Sequence, residues 1–282
     1  SIKGIIPNLS PIAAIKWLVS RATTVTGSPF FAYASMHDNN LRLGNLDCML
    51  SQKAFNSKLP YTYNPANVSN ADTQTEVEKT FTIKALKTSK MANTLKLIQE
   101  GAVTSDMCNT NLNTGQIFNQ HFSVRDTLDK LSGHGIIGEN QNVFDTEFLM
   151  DENAVDTFTA QNIHTVTSSG TYGRYKSYHD EFDATKFKKK LESKALHNHL
   201  YKNMMNVVVE GAGFIVSKAS VGDIVNLKIV NDNTEQDKNA SEEDLIDKAK
   251  SGDCIIYDTR HTFSGTQHTV SINVCKLERL SQ

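Results

Sequence analysis

Asp253-Cys254-Ile255-Ile256-Tyr257-Asp258-Thr259-Arg260-His261-Thr262 and His268-Thr269-Val270-Ser271-Ile272-Asn273-Val274-Cys275 decide the fold of this chain. In the second segment polar and apolar residues alternate, the two-residue period of a strand with one wet face and one dry face. The linker Phe263-Ser264-Gly265-Thr266-Gln267 has hairpin length and holds a glycine, so the two segments read as paired strands. Upstream, Val221-Gly222-Asp223-Ile224-Val225-Asn226-Leu227-Lys228-Ile229-Val230 alternates in the same way. Met205-Asn206-Val207-Val208-Val209-Glu210 is a further strand, followed by a turn at Gly211-Ala212-Gly213. The last third of the chain is therefore strongly β. The acidic stretch between Asn231 and Lys250 reads as a loop projecting into solvent.

Strand signals also occur far upstream. Thr80-Phe81-Thr82-Ile83-Lys84-Ala85-Leu86 alternates, and Gly101 to Cys108 with Gly115 to Phe122 flank a turn-rich Asn109 to Thr114, as in a hairpin. Met91 to Gln99 fits either a short helix or a continuing strand. Two helices frame these strands. Ser10 is placed to cap a helix that has Pro11 at its first position and Ile12, Ile15, Val19 and Ala22 at helical spacing. Ala184, Phe187, Leu191 and Ala195 mark a longer helix reaching about Asn203, with Lys186, Lys188, Lys189, Lys190 and Lys194 on the rest of its surface. Pro29 to Ala34 reads as a buried strand and Leu41 to Leu50 as its return; Ser51 to Glu78 reads as a connector. A short helix is expected from Val124 to Leu131, after which the pattern decays as far as Asp180.

At 282 residues and 31.3 kDa the chain is long enough for a buried core without disulfides or metals. Lys+Arg 29 against Asp+Glu 31 gives a net charge of −2, which exerts no strong pull on DNA or anionic lipid. No run approaches the roughly 18 apolar residues of a membrane span, and the apolar start is too short for a signal peptide, so a soluble, unexported chain or a fragment of one is expected. Cys48, Cys108, Cys254 and Cys275 are far apart, lack metal-ligand spacing and read as core thiols.

Phosphate-loop, dinucleotide, zinc-protease and esterase motifs are all missing. His197 and His199 are two apart on a helix, point different ways and read as solvent-exposed. His261 and His268 can face each other across the last hairpin, in cross-strand polar packing. Glu152 with Asp156, and Glu242, Glu243 and Asp244, are carboxylates in loop-like tracts and read as solvated charge rather than a glycosidase pair. The lysine-rich helix reads as a solvated or partner-helix face in preference to a nucleic-acid surface. Tyr172, Tyr175 and Tyr178 are a mild sign of an interface. No catalytic, cofactor-binding or metal-binding residue is assigned, and no enzymatic activity is expected.

Two stretches resemble the baseplate hub proteins of T-even-like contractile-tailed phages. The first runs from Pro7-Asn8-Leu9-Ser10-Pro11-Ile12-Ala13-Ala14-Ile15-Lys16-Trp17-Leu18-Val19-Ser20-Arg21-Ala22 through Ser28 to Tyr33 and Leu46-Asp47-Cys48-Met49-Leu50. The second runs from Val221 to Ile229 through the acidic loop, Leu245-Ile246-Asp247 and Ser251 to Phe263. The resemblance follows nearly the whole chain in order. It implies an α+β fold with a tail-tube-type antiparallel β-barrel split in sequence, an N-terminal helix-plus-hairpin subdomain and an inserted irregular region. The implied division is 1–78 for the subdomain, 79–122 for the first part of the barrel, 123–203 for the insertion and long helix, and 204–282 for the second part. Its implied role is a virion structural protein: a homotrimeric ring joining the tail tube protein to the central spike protein. Such a ring would touch other baseplate proteins, line a channel that passes DNA with only weak interaction, and have no membrane anchor. It would lie in the tail baseplate after assembly in host cytoplasm. The family usually carries another barrel ahead of the helix at Ser10, so a truncated, processed or split subunit is expected. The alternative is a tail-associated cell-wall hydrolase or another tail adaptor or receptor-binding module.

Overall fold

The structure is a computed structural model. It describes residues 6–37, 40–64, 79–90, 94–111, 115–134, 159–166, 184–202, 204–230, 245–247 and 250–277. Its centre is a six-stranded sheet in the order β3-β9-β10-β11-β8-β4. The strands are β3 (Tyr61–Tyr63), β4 (Ala85–Lys90), β8 (Met204–Glu210), β9 (Ile224–Ile229), β10 (Gly252–Ser264) and β11 (Gln267–Cys275). Neighbours are antiparallel except β3, which runs parallel to β9 in the register Tyr61↔Leu227, Thr62↔Lys228, Tyr63↔Ile229.

The residues just ahead of β4 complete the wall. Thr62 N donates to Phe81 O and Ile83 N donates to Thr62 O, both at 2.9 Å, bridging Thr62 to Thr82. Lys84 N then donates to Val208 O at 2.8 Å, where β4 begins its pairing with β8. One chain segment thus touches both ends of the sheet, which is a nearly closed barrel, with β4 itself paired only with β8 among the described residues. The fold is α+β with a nearly closed barrel split in sequence, as the resemblance implied.

Alternation fills the interior. Met205, Val207 and Val209 from β8, Val225, Leu227 and Ile229 from β9, Cys254 and Ile256 from β10, and Val270, Ile272 and Val274 from β11 form one buried cluster with Tyr61 and Ile83. Each buried branched side chain contributes about 1.5–3 kcal/mol relative to exposure, which explains why the two-residue period sets the register. Helix α6 (Gly211–Val216) adds Phe214 to this core, edge-on to Phe55 at 5.9 Å. Gly211 to Gly213, read as a turn, is the start of that helix. A methyl on Gly211 would lie 1.9 Å from Nδ1 of His268, so the close approach of helix to hairpin requires glycine there.

A second core lies outside the barrel. Ile224, Ile255 and Cys275 sit side by side in register on three neighbouring strands and pack with α2 (Leu46–Leu50), α3 (Thr94–Gln99), α4 (Val124–Gly133) and α5 (Ala184–Leu200). A bulge at Tyr257 separates this segment of β10 from the rest of its ladder. Three further strands, β5 (Thr104–Asn111), β6 (Gln116–Ser123) and β7 (Thr159–Val166), form their own sheet in the order β6-β5-β7. The expected hairpin at 101–122 exists as β5 and β6, but it lies in this sheet and not in the barrel wall. Met107 and Phe122 turn into the second core and hold the hairpin against the helices. The barrel takes only residues around 81–90 from this part of the sequence.

The N-terminal unit comprises α1 (Pro11–Val19) and the two-stranded ribbon of β1 (Phe30–Ala34) and β2 (Leu41–Asn45). Pro11 stands at the helix start behind an extended Ser10, whose side chain makes no capping bond. The return segment 41–50 changes from strand to helix at Asn45, whose side chain accepts from Cys48 N at 2.7 Å and so caps α2. β1 is half-buried to exposed rather than buried, because among the described residues one other strand, β2, accompanies it.

Candidate assembly surface

No group of three or more His, Cys, Asp and Glu side chains converges on a metal-sized site among the described residues. The two histidine pairs take different positions. His197 is exposed and stacks on Phe31 at 5.9 Å and against Tyr201 at 4.7 Å. His199 is fully buried, which corrects its solvent-exposed reading. Its Nε2 donates to the Ala102 carbonyl at 3.0 Å. Burial, with a smaller contribution from the charge of Lys202, lowers its pKa to about 4, against the opposing effect of the Ala102 bond. The helix face explains the correction: Leu191, Ala195 and His199 are spaced by four and share one buried stripe.

His261 and His268 do face each other. His261 Nδ1 is 3.1 Å from His268 Nε2, and the rings stack at 5.3 Å. Phe263 stacks on the other face of this arrangement, 4.2 Å from His268, and Phe214 meets His261 edge-on. His261 pairs in register with the interior residue Val270, so the histidines stand at the barrel mouth that α6 covers. Burial, His268 and His37 lower the pKa of His261. His37 itself bonds the Ala219 carbonyl at 3.1 Å. This arrangement is aromatic packing, with no carboxylate bonded to either ring among the described residues.

Cys254 and Cys275 are buried free thiols, and burial pushes Cys254 up to about 12. Cys48 is free but exposed on α2, which corrects its core reading: α2 turns Leu46 and Met49 inward and leaves Cys48 on the opposite side. On α5, Lys188, Lys189 and Lys190 are half-buried and Lys194 is exposed. Lys186, the tyrosines Tyr172, Tyr175 and Tyr178, and the carboxylates Glu152, Asp156, Glu242, Glu243 and Asp244 lie where no side chain is described. Most of the acidic loop 231–250 lies outside the described residues as well.

Two polar clasps were not anticipated. Asp47 accepts Thr26 Oγ1 at 2.7 Å and also the hydroxyl of fully buried Ser28, fastening the 23–29 turn to α2. Glu192 on α5, 4% exposed, pairs with Lys130 of α4 at 2.9 Å. Gly27, at φ +89°, lies directly over Glu192, and a methyl there would come 2.3 Å from Oε2. The N-terminal turn, α4 and α5 thus meet at one buried carboxylate. An acid breaking a lysine-rich run was the available sign of Glu192 in the sequence.

What remains is surface. α1 has no buried residue. Ile6, Leu9, Ile12, Leu18, Val25, Met36, Leu41 and Leu43 are all exposed, and they make up more than half of the exposed large apolar residues among those described. Leu41 and Leu43, at 61% and 65%, lie on β2, which pairs with β1 on one side and with no other strand among the described residues. Apolar exposure concentrated on one structural unit marks an interaction surface more than scattered leucines do. A second, smaller concentration, Ile215, Val216 and Phe263, lies at the α6 mouth of the barrel.

No protein-family model matches the chain, and no curated protein matches it. Among solved structures, the tail protein of Neisseria meningitidis MC58 is similar over 89% of this chain and 51% of its own, at 8% identity and a TM-score of 0.39. The 43 kDa tail protein of prophage MuSo2 from Shewanella oneidensis is similar over 88% of this chain and 50% of its own, at 10% identity and a TM-score of 0.37. The chain spans about half the length of these two tail proteins.

Proposed function

We propose that this chain is a structural subunit of a phage-type contractile tail. In this reading it is a baseplate hub protein whose trimeric ring joins the tail tube to the central spike and surrounds the DNA channel. The observation that supports the reading is the split barrel. β3 and β4 close against strands beginning at Met204, in the chain order in which the sequence resembles the hub family. The apolar N-terminal unit supplies a face for neighbours. The near-neutral charge suits a channel that must let DNA pass. Light scattering of the purified chain tests the reading, followed by electron microscopy of the particle with tube and spike proteins. A ring of three copies between tube and spike is the expected result. A monomer that clears a peptidoglycan suspension would replace it with a tail-associated hydrolase.

A further inference from the structure

We propose that the His261–His268 contact is a proton-operated latch at the barrel mouth: neutral, it holds the tip of the β10–β11 hairpin on α6, and on taking up a proton it releases the tip. His261 Nδ1 and His268 Nε2 face each other at 3.1 Å with their ring planes 17° apart, so one of these nitrogens carries a hydrogen and the other accepts it. The second nitrogen of His261, Nε2, is buried and has no hydrogen-bond partner. A hydrogen there would be a buried donor without an acceptor, which folded proteins avoid. The neutral pair therefore carries its two hydrogens on His261 Nδ1, which donates, and on His268 Nδ1.

A third hydrogen has no good place in this arrangement. If it goes between the rings, two hydrogens meet head to head; if it goes anywhere else, one must sit on the acceptorless His261 Nε2. The latched form thus refuses a proton that either ring accepts once it turns into water. Burial, His268 and His37 depress the pKa of His261 in the same sense. The surrounding charges offer no relief. His37 bonds the Ala219 carbonyl, Glu210 pairs with Lys84, and Asp223 accepts Ser220 N at 2.7 Å. Lys218 follows α6, whose own residues Gly211 to Val216 are all uncharged. Arg260 alternates with His261 onto the outer face of the hairpin, where Asp258 accepts from Asn273 at 2.9 Å. Among the described residues, none of these carboxylates bonds either ring.

Release has one direction. The His268 ring already fills the space that a Cβ on Gly211 would occupy, so it leaves toward solvent, together with Phe263 stacked on it at 4.2 Å. Departure of the tip uncovers Phe214, 1% exposed and edge-on to His261, beside the exposed Ile215 and Val216. Acid thereby enlarges the apolar surface at this mouth.

Hydrogen exchange at pH 8 and pH 5.5, expressed as protection relative to the free-chain rate at each pH, tests the latch in the wild type, His261→Gln and His268→Gln, with circular dichroism to verify folding. In the wild type, protection of 211–216 and 261–268 should fall by at least about tenfold at the lower pH. His268→Gln should keep a fall of about tenfold, because His261 still cannot hold a hydrogen on Nε2. His261→Gln should lose the fall, because a glutamine carbonyl accepts His268 Nε2–H whether or not His268 is charged. His37 and His199 are present in all three proteins, so a fall caused by either would persist in His261→Gln. Imidazole nitrogen NMR of the wild type at pH 8 makes the same test without a substitution and should find His261 as the Nδ1–H tautomer. Equal protection at both pH values in the wild type, a fall that persists in His261→Gln, no fall in His268→Gln, or an Nε2–H tautomer at His261 would overturn the latch.

Discussion

Acid should unfold this protein through His199. Burial, with a smaller contribution from the charge of Lys202, holds the side chain in its neutral form, with Nε2–H donated to Ala102 and a folded pKa of about 4 against an ordinary 6.5. Between those values the unfolded chain binds a proton that the folded chain refuses, so stability rises with pH across the window and is lost as pH falls through it. At pH 5 the unfolded state gains about 30-fold from this proton, which is about 2 kcal/mol; below pH 4 the loss levels off at about 3 kcal/mol. Asp223 has the opposite sign, since burial raises its carboxyl and folding then favours the protonated form at low pH. Comparison with His199→Gln, which keeps a donor but cannot titrate, isolates the histidine. Urea unfolding at pH 7.5 and pH 5, followed by circular dichroism, should show the wild type losing about 2 kcal/mol more than the variant over that interval. Equal losses in both proteins would refute the argument, because the proton would then be binding elsewhere.

Other expectations concern the clasp and the thiols. Gly27→Ala combines a positive φ with a collision at Glu192 and should cost about 2–4 kcal/mol, read as a lowered Tm. Lys130→Ala should cost about 2–3 kcal/mol and Glu192→Gln about 1, because the first leaves a buried carboxylate unpaired while the second leaves a half-exposed lysine that water can solvate; the reverse order in denaturant melts would count against the clasp. In native protein, Ellman's reagent should label Cys48 fast and Cys108 more slowly, with Cys254 and Cys275 reacting only after denaturation.

The sequence was readable wherever one face of an element is buried and the other is wet. β8, β9 and β11 alternate because the barrel interior takes every second residue, and β5 with β6 announced themselves by the turn between them. β3 escaped because three residues are too few to show a period, and Pro60 and Pro65 beside them read as loop. β7 escaped because Thr159-Ala160-Gln161-Asn162-Ile163-His164-Thr165-Val166 has little apolar content and pairs in parallel with a strand far upstream. At the level of single residues, His261 facing His268 followed from hairpin geometry. His199 required the stripe of Leu191 and Ala195 to be carried one turn further. The clasp at Glu192 depends on three segments meeting in space, which no local pattern encodes.

The position of β11 in the wall has a consequence for how the molecule is made. Residues 267–275 lie between β10 and β8, so the strand that joins the two halves is synthesised after every other strand described. At translation speeds of about 5–20 residues per second, β4 waits on the order of ten seconds or more for its completed wall. A polypeptide released early from the ribosome would carry unsealed strands and fall to proteases. Quality control is thereby written into chain order: only chains translated as far as Cys275 acquire the completed wall.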